Sequence, residues 1–398
     1  LVAADLSVSK PALYRYIGSK DNLLEAMERD YIEQLERFVL RPLHRYSAHR
    51  AADAVEEVLR TYFGAMFQFF AERPYHYLFF LRRLVGKLRR GSSEIGHAIE
   101  KHDRVLRTAF ERAVDMRSDM TSEEIVRYVS ASAVFWTTHR YRKHLESEPD
   151  EAREFVPEES SICENTQSEL VETAVRRCLH GFYPTGRIDL DMEAVERVAR
   201  LSRDEIAPSD RIVSAVEEVV RERGYSGATV ERIAERVGLN KSSLYHYFRN
   251  KDEMFTQTLV REQQQLASLA RLRFRQLADN RRRLYGLFIV LANYAVLKPG
   301  TAIVENWVRE SNIEVQIPNS HIVEIRRTYS FIADILNSDM GLDSHDDEFG
   351  LLQFIHYLVM VELSDYIEND RSDQSWLETI RSLFLRFVAG IATDTKEI

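Results

Sequence analysis

The sequence predicts an all-α fold, and three observations support this prediction. Apolar residues recur with helical spacing over long stretches, as in 51–72 and 347–369. No segment shows the sustained alternation of apolar and polar residues that is typical of a half-buried strand. The chain has only 15 glycines and 9 prolines, so it offers few positions for hairpin turns. Its 398 residues exceed one ordinary core and indicate two or more helical domains.

Individual helices can be placed in chain order. The helix predicted over 51–72 carries one apolar stripe, and the helix over 121–145 opens with a capping box in which Glu124 follows Thr121 by three residues. Further amphipathic helices are predicted over 191–205, 347–369 and 375–390. Breaks between helices are predicted at 146–161, 181–189 and 206–211.

Composition narrows the class of protein. The net charge of -9 excludes a protein that is basic overall but allows local basic patches. No apolar run reaches the length of a membrane span, no signal peptide is recognisable, and the two cysteines have no zinc or disulfide spacing. We therefore expect a cytoplasmic protein.

The chain contains an internal repeat. When the sequence is shifted by 231 residues, residues 1–24 align with 232–255 without a gap. We interpret this as a duplication whose first copy is incomplete, since its first helix would precede residue 1. Seven aligned positions are identical: Ala3/Ala234, Lys10/Lys241, Leu13/Leu244, Tyr14/Tyr245, Tyr16/Tyr247, Lys20/Lys251 and Asp21/Asp252.

The second copy has the pattern of a helix-turn-helix. A first helix is predicted over 209–223, ending at Gly224. Thr229 is predicted to cap a short second helix, Gly238 to form the turn, and Asn240 to cap a third helix.

The third helix has the composition of a DNA-reading element. Leu239, Leu244 and Phe248 can bury one of its faces. From 240 to 251 there are three Lys or Arg residues and no acid, and the same holds from 9 to 20. In an acidic chain, this local positive charge at two matching places indicates two nucleic-acid contacts. The alternative is that the aromatic residues belong to the core and the lysines to an ordinary surface.

The segments VGLNKSSLYHYFRNKDEMF (237–255) and LSVSKPALYRYIGSKDNLL (6–24) resemble the signature of the TetR family of bacterial transcriptional regulators. The resemblance implies a three-helix DNA-binding domain joined to a larger helical domain for ligand binding and dimerisation. The first copy departs from the signature, because Ser7 stands where the turn usually has Gly and Ile17 replaces an aromatic residue. The DNA contacts that the resemblance implies are Lys10, Pro11, Tyr14, Arg15, Tyr16, Lys20, Thr229, Lys241, Ser242, Tyr245, His246, Tyr247 and Lys251.

Two tandem units are therefore expected in one chain. We expect them to form a pseudo-dimer within the chain, in which helices at 121–146 and 165–181 pack on helices at 347–369 and 374–390. Further pairing of chains stays open. Because Arg15 can contact guanine with two hydrogen bonds and neutral His246 cannot, an asymmetric operator is expected. The expected domains are 1–30 (first helix-turn-helix, incomplete), 31–203 (first ligand-binding domain), 204–256 (second helix-turn-helix) and 257–398 (second ligand-binding domain).

Aromatic residues suggest a site for an effector. Nine of them lie within 61–80, too many for one helical stripe. The family binds effectors between the helices of the larger domain, and apolar walls predominate in such pockets, so a small, largely apolar or amphipathic effector is expected. Ordinary core packing is the alternative for each residue. The candidates are Phe67, Phe70, Phe80 and Trp136 in the first unit, and Tyr294, Trp307, Tyr329 and Phe354 in the second.

These observations favour a ligand-responsive regulator of transcription, expected to be a repressor that the effector releases from double-stranded operator DNA. One alternative is a constitutive or architectural DNA-binding protein without an effector. Another is a protein-interaction module with a degenerate first copy. An enzyme is the least favoured class, because no nucleophile elbow, phosphate loop or dinucleotide fingerprint is present, and no metal or cofactor is expected.

Overall fold

A computed structural model describes residues 9, 15–16, 18–48, 54–73, 76, 94–114, 116–147, 164–183, 190–206, 211–227, 229–245, 248, 251–299, 319–337, 348–363, 366 and 375–392. Over these residues the structure is helical, with short π- and 3₁₀-helical turns and two isolated β-bridges, so the predicted all-α class is confirmed. None of the described helices combines the length and hydropathy needed to cross a membrane.

The helices are numbered in chain order. The first half contains α1 (Lys20–Leu35), α2 (Arg41–Ala48), α3 (Val55–Glu72), α4 (Glu94–Arg112), α5 (Ser122–Ser147), α6 (Glu164–His180) and α7 (Met192–Ala199). The second half contains α8 (Arg211–Gly227), α9 (Val230–Val237), α10 (Lys241–Tyr245), α11 (Lys251–Phe274), α12 (Asn280–Leu297), α13 (Asn319–Thr328), α14 (Ala333–Asn337), α15 (Glu348–Glu362) and α16 (Trp376–Ala389).

Helix α3 forms the centre of the first half, where it packs against α2, α5 and α6. Its apolar stripe is fully buried, as the spacing over 51–72 predicts. The capping box predicted before α5 is confirmed. The backbone N–H of Thr121 donates to Glu124 Oε2 (2.9 Å), and the N–H of Glu124 donates to Thr121 Oγ1 (3.3 Å).

Helix α12 occupies the centre of the second half. Residues 284–295 are all buried, because α7, α11, α14, α15 and α16 surround this helix. A helix that is enclosed on every side has no solvent-facing stripe, and its sequence accordingly shows no amphipathic period.

The two halves meet through the last two long helices of each. Helix α5 packs on α15, and α6 packs on α16. Two pairs of backbone hydrogen bonds join the end of α6 and the residues after it to the end of α16 and the residues after it. Phe182 N–H donates to Phe387 O (2.9 Å) and Ile391 N–H donates to Cys178 O (2.9 Å). Tyr183 N–H donates to Val388 O (3.1 Å) and Ala392 N–H donates to Leu179 O (3.0 Å).

The helix predicted over 347–369 ends earlier in the structure, at Glu362. Two further predicted helix ends differ from the structure. The first helix of the helix-turn-helix does not end at Gly224 but continues to Gly227. The helix predicted over 191–205 ends at Ala199, because Arg200 is extended and a 3₁₀ turn, Arg203–Glu205, follows. This second break is set by tertiary contacts, since the extended backbone lets Leu201 N–H reach Asn293 Oδ1 (2.6 Å).

Candidate nucleic-acid interface

Local hydrogen bonds form the turn of the second helix-turn-helix as the sequence predicts. The side chain of Thr229 caps α9 by accepting from Arg232 N–H (3.4 Å). Gly238 ends α9 with a left-handed backbone (φ 76°), a conformation that glycine adopts with little steric cost. Asn240 caps α10 by accepting from Ser243 N–H (2.7 Å).

The three helices of this domain enclose their own small core, separate from the main one. Leu244 is the inward anchor of α10 and is 1% exposed. Leu239, predicted to be buried, is instead 37% exposed. The buried members of this core are Ala215, Val216, Val219, Val230, Ile233, Ala234, Val237, Leu244, Phe248 and Met254.

Polar contacts fix the frame that carries α10. Arg236 on α9 forms ion pairs with Glu218 and Glu222 on α8 (2.7 Å each). These hydrogen bonds raise the pKa of Arg236 further above its already high value. Arg211 Nη2 donates to Val237 O at the end of α9 (3.2 Å). Both contacts hold the C-terminal end of α9 against α8, one at the start of α8 and the other further along it.

The outer face of α10 presents donors to solvent. Lys241 and Ser242 are exposed, and the Tyr245 side chain is 44% exposed. The Lys241 ammonium lies 5.8 Å from the ring centroid of Tyr245 and forms an ion pair with Glu231 on α9. The hydrogen bond to Glu231 raises the pKa of Lys241. This cation is therefore positioned at the outer surface before any DNA is bound.

Several predicted contacts of the second copy lie outside the described residues or have side chains that are not described. His246 and Tyr247 are outside, and Lys251 is described only as the first residue of α11. Their role in binding DNA stays a prediction.

The first copy is described only in part. Arg15 and Tyr16 are helical and exposed, and the Tyr16 side chain is 90% exposed. Gly18 has a left-handed backbone (φ 71°), and Ser19 caps α1 by accepting from Asn22 N–H (3.1 Å). Lys20 is described only as the first residue of α1. Lys10, Pro11, Tyr14, Ser7 and Ile17 lie outside the described residues.

The candidate effector residues that are described all lie in the main core. Phe67, Phe70 and Trp136 are each at most 2% exposed, and so are Tyr294 and Phe354. Tyr329 is 5% exposed, and its hydroxyl donates to Gln263 Oε1 (2.6 Å). Phe80 and Trp307 lie outside the described residues.

These candidates lie in more than one part of the main core. Phe354 stacks on Phe135 of the first half, with ring centroids 4.3 Å apart, so it lies where α5 and α15 meet. The Tyr294 hydroxyl hydrogen-bonds Glu262 (2.7 Å) deep in the second half. An open cavity of about 470 Å³ lies between the helix-turn-helix and α11, and none of these candidates lines it.

The buried polar pairs around these residues were not predicted from the sequence. Glu262, which accepts from Tyr294, also pairs with Lys298, and both charged side chains are less than a tenth exposed. In the first half, the Tyr62 hydroxyl hydrogen-bonds His102 Nε2 (3.0 Å). Their partners are far apart in sequence, so spacing alone carries no signal of them. In the described part of the chain, no three His, Cys, Asp or Glu side chains gather as a metal site would require.

The helix-turn-helix described above matches a known protein family. Residues 212–258 match the model of the family described as bacterial regulatory proteins, tetR family. The matched span runs from the start of α8 into α11, and it includes all of α9 and α10.

Individual proteins are similar over longer spans. The chain is 31% identical over 151 residues to the HTH-type transcriptional activator FasR of Mycolicibacterium smegmatis, covering 37% of this chain and 65% of that protein. It is 27% identical over 123 residues to the HTH-type transcriptional regulator BetI of Proteus mirabilis, covering 30% and 62%. The matches thus span slightly less than two thirds of these relatives.

Among solved structures, the regulator FadR of Bacillus subtilis in complex with stearoyl-CoA is similar at 23% identity and a TM-score of 0.38. That alignment covers 46% of this chain and 98% of the FadR chain.

Proposed function

We propose that the chain is a ligand-responsive regulator of transcription of the TetR family that binds double-stranded operator DNA. The match of residues 212–258 to that family's model and the 31% identity to FasR support this proposal. The observation that carries this proposal is the outer face of α10. There Lys241, Ser242 and Tyr245 stand exposed on a helix that is capped, anchored by Leu244 and free of acids. These side chains can donate to phosphates and base edges in a major groove.

Selection of bound duplexes from a random DNA pool tests the proposal directly. The expected result is enrichment of one sequence motif, whose binding weakens as salt rises because lysine–phosphate contacts release counterions. A chain that enriches no motif contradicts the proposal.

We propose further that one chain supplies both readers of an operator, as a pseudo-dimer. The support is the contact between the halves, where the pairs Phe182–Phe387 and Ile391–Cys178 exchange equivalent backbone hydrogen bonds. An interface in which each side makes the same contacts is characteristic of two-fold pairing. Sedimentation of the complex with a selected duplex should give one chain per operator. Two chains per operator would contradict this arrangement.

An asymmetric operator follows from unequal readers. The first copy presents Arg15, and the second copy has His246 at the aligned position. Arginine favours guanine through two hydrogen bonds, and neutral histidine does not. The selected motif should therefore have two unlike halves, and recovery of perfect palindromes alone would rule out the proposal.

We propose that a small, largely apolar effector binds within a helical domain and releases the operator. The dense aromatic and aliphatic packing around α3 supports an apolar environment. A ligand that binds only the folded chain must raise its melting temperature, so a thermal-shift screen with lipophilic compounds tests this step. A reporter under the selected operator decides the sign, because a repressor lowers its expression and an activator raises it.

Constitutive DNA binding is the second candidate function, and a specific observation favours it. The described effector candidates are packed into cores with their rings against neighbours, as Phe354 is against Phe135. If no compound of the screen shifts the melting temperature while the operator is still bound, this second function stands in place of the first.

A further inference from the structure

The segment that joins the two halves is docked on the second half. We call residues 190–206 the strap. Asp191 caps α7 by accepting from Ala194 N–H (2.9 Å), and Ser202 and Glu205 form a capping box around the 3₁₀ turn. Connecting segments usually run over the surface. The strap instead buries three apolar side chains almost completely, namely those of Val195, Ala199 and Leu201.

The strap binds α12, the enclosed helix of the second half. Leu201 N–H donates to Asn293 Oδ1 at 2.6 Å, and both residues are buried. The strap also lies against α12 at Gly286, where an added Cβ would come into ordinary van der Waals contact with the Cβ of Ala199, at 3.8 Å. The strap is thus part of the packed core.

The strap also binds the helix that meets the first half. Arg381 on α16 holds the carboxylate of Glu196 with two hydrogen bonds (2.6 and 2.7 Å). The Tyr285 hydroxyl donates to the same carboxylate (2.6 Å). Burial raises the pKa of Glu196, but the hydrogen bonds from Arg381 and Tyr285 lower it more, so the group stays charged at neutral pH. Glu196 therefore connects the strap to both α12 and α16.

A third contact reaches α11. This helix follows α8, α9 and α10, which we call the second reading domain. Arg273 Nε and Nη2 donate to Arg200 O (3.3 and 3.2 Å), and Arg273 forms an ion pair with Glu205. Only four residues, 207–210, separate the strap from α8, and they can span at most about 14 Å. The second reading domain is therefore tied to the strap at its entrance and through its exit helix.

The corresponding helix of the first half is built differently. A π-helical turn, Glu36–Leu40, lies between α1 and α2, whereas α11 runs as an unbroken α-helix from Lys251 to Phe274. Such turns interrupt the regular hydrogen-bond ladder and frequently occur at functional sites.

We propose that the strap holds the second reader in one orientation relative to the shared interface. The proposal rests on the proposed function, since it concerns how the two DNA-reading domains are controlled.

Hydrogen exchange of the full chain, measured without DNA or ligand, tests whether the strap holds the second reading domain in place. In Arg273→Gln, amides of α8 and α11 should exchange about tenfold faster, because three contacts of a charged donor are lost. Glu205 is partly exposed, so Glu205→Gln cannot unfold the core. This variant should give roughly threefold faster exchange in α8 and α11. Glu193→Gln, an exposed acid on the same strap, is the matched control and should change nothing. Exchange in α1 should stay the same in all three variants.

A second measurement uses DNA duplexes that each carry one half of the selected operator. The half read by α10 is the one whose binding Lys241→Gln weakens. Arg273→Gln should speed dissociation from that half and leave the other unchanged. Unchanged exchange in α11, or equal changes at both halves, would overturn the proposal. If the wild-type chain binds neither half, the proposed DNA-binding function fails, while the exchange data still decide whether the strap fixes the domain.

Discussion

Arg386 of the second half donates through Nη1 to Glu124 of the first half at 2.7 Å, and the arginine side chain is fully buried. Its Nη2 donates to Glu362 (2.7 Å), which also accepts from Arg127. One buried cation thus neutralises two acids, one from each half. A buried charge needs such partners, because the protein interior replaces water poorly around an ion.

Removing this cation should weaken the contact between the two halves and destabilise the fold. We expect Arg386→Ala to lower the free energy of unfolding by about 3–5 kcal/mol, since it removes the cation paired with Glu124 and one of the two cations paired with Glu362. Urea unfolding followed by circular dichroism measures the change. The control is Arg107→Ala, an exposed arginine on α4. Equal stability of the two variants would show that the buried pair contributes nothing.

The same contact should make stability depend on acid. Burial raises the pKa of Glu124, but hydrogen bonds from Thr121 and Ser382 and the charge of Arg386 lower it to about 2. Because the folded pKa lies below the ordinary 4.5, ionised Glu124 stabilises the fold above about pH 4.5, and this contribution is lost as the pH falls towards 2. The stability gap between wild type and Glu124→Gln should narrow over that range. A stability difference between the two proteins that stays constant from about pH 5 to about pH 2 would contradict the assignment.

Two glycines with positive φ should respond differently to alanine. Gly181 (φ 71°) lies directly against the backbone of Val388, so an added Cβ clashes with that carbonyl group. Gly238 (φ 76°) faces open space. We expect Gly238→Ala to cost about 1–2 kcal/mol from backbone strain alone, and Gly181→Ala to cost clearly more. Thermal unfolding of both variants gives the comparison, and an equal cost would show that the contact with Val388 relaxes freely.

Glu231 should weaken DNA binding. Its carboxylate pairs with Lys241 on the reading face and is itself an acid beside the expected phosphates. We expect Glu231→Gln to raise affinity for the selected operator by about two- to fivefold, and Lys241→Gln to lower it and reduce the salt slope by about one unit. Fluorescence anisotropy at several salt concentrations measures both.

The control for this pair is Glu235→Gln, which removes an exposed acid from the same helix. If it raises affinity as much as Glu231→Gln, the effect is one of net charge alone and not of the pairing with Lys241.

Local structure could be read from the sequence where short-range physics sets it. The caps at Thr121, Thr229 and Asn240 depend on hydrogen bonds across three residues, and all three form as predicted. The ends at Gly224 and in 191–205 were wrong. In 191–205 the backbone follows its contact with Asn293 and not local preference.

The candidate site shows the same difference between features set by neighbouring residues and features set by packing. The exposed donors of α10 could be predicted because residue type and helical face decide exposure. The positions of the effector candidates could not, since apolar side chains pack equally well in a core, a pocket or an interface. Phe354 shows this, because only the fold brings it against Phe135.

The sequence by itself determined the helical class, the repeat and the helix-turn-helix, since period, caps and turn glycine act between neighbouring residues. Only the tertiary structure decided that Arg386 lies between two distant acids and that residues 190–206 bind three helices of the second half. Those contacts join residues up to 262 positions apart. Their energy depends on burial and geometry, which no short stretch of sequence contains.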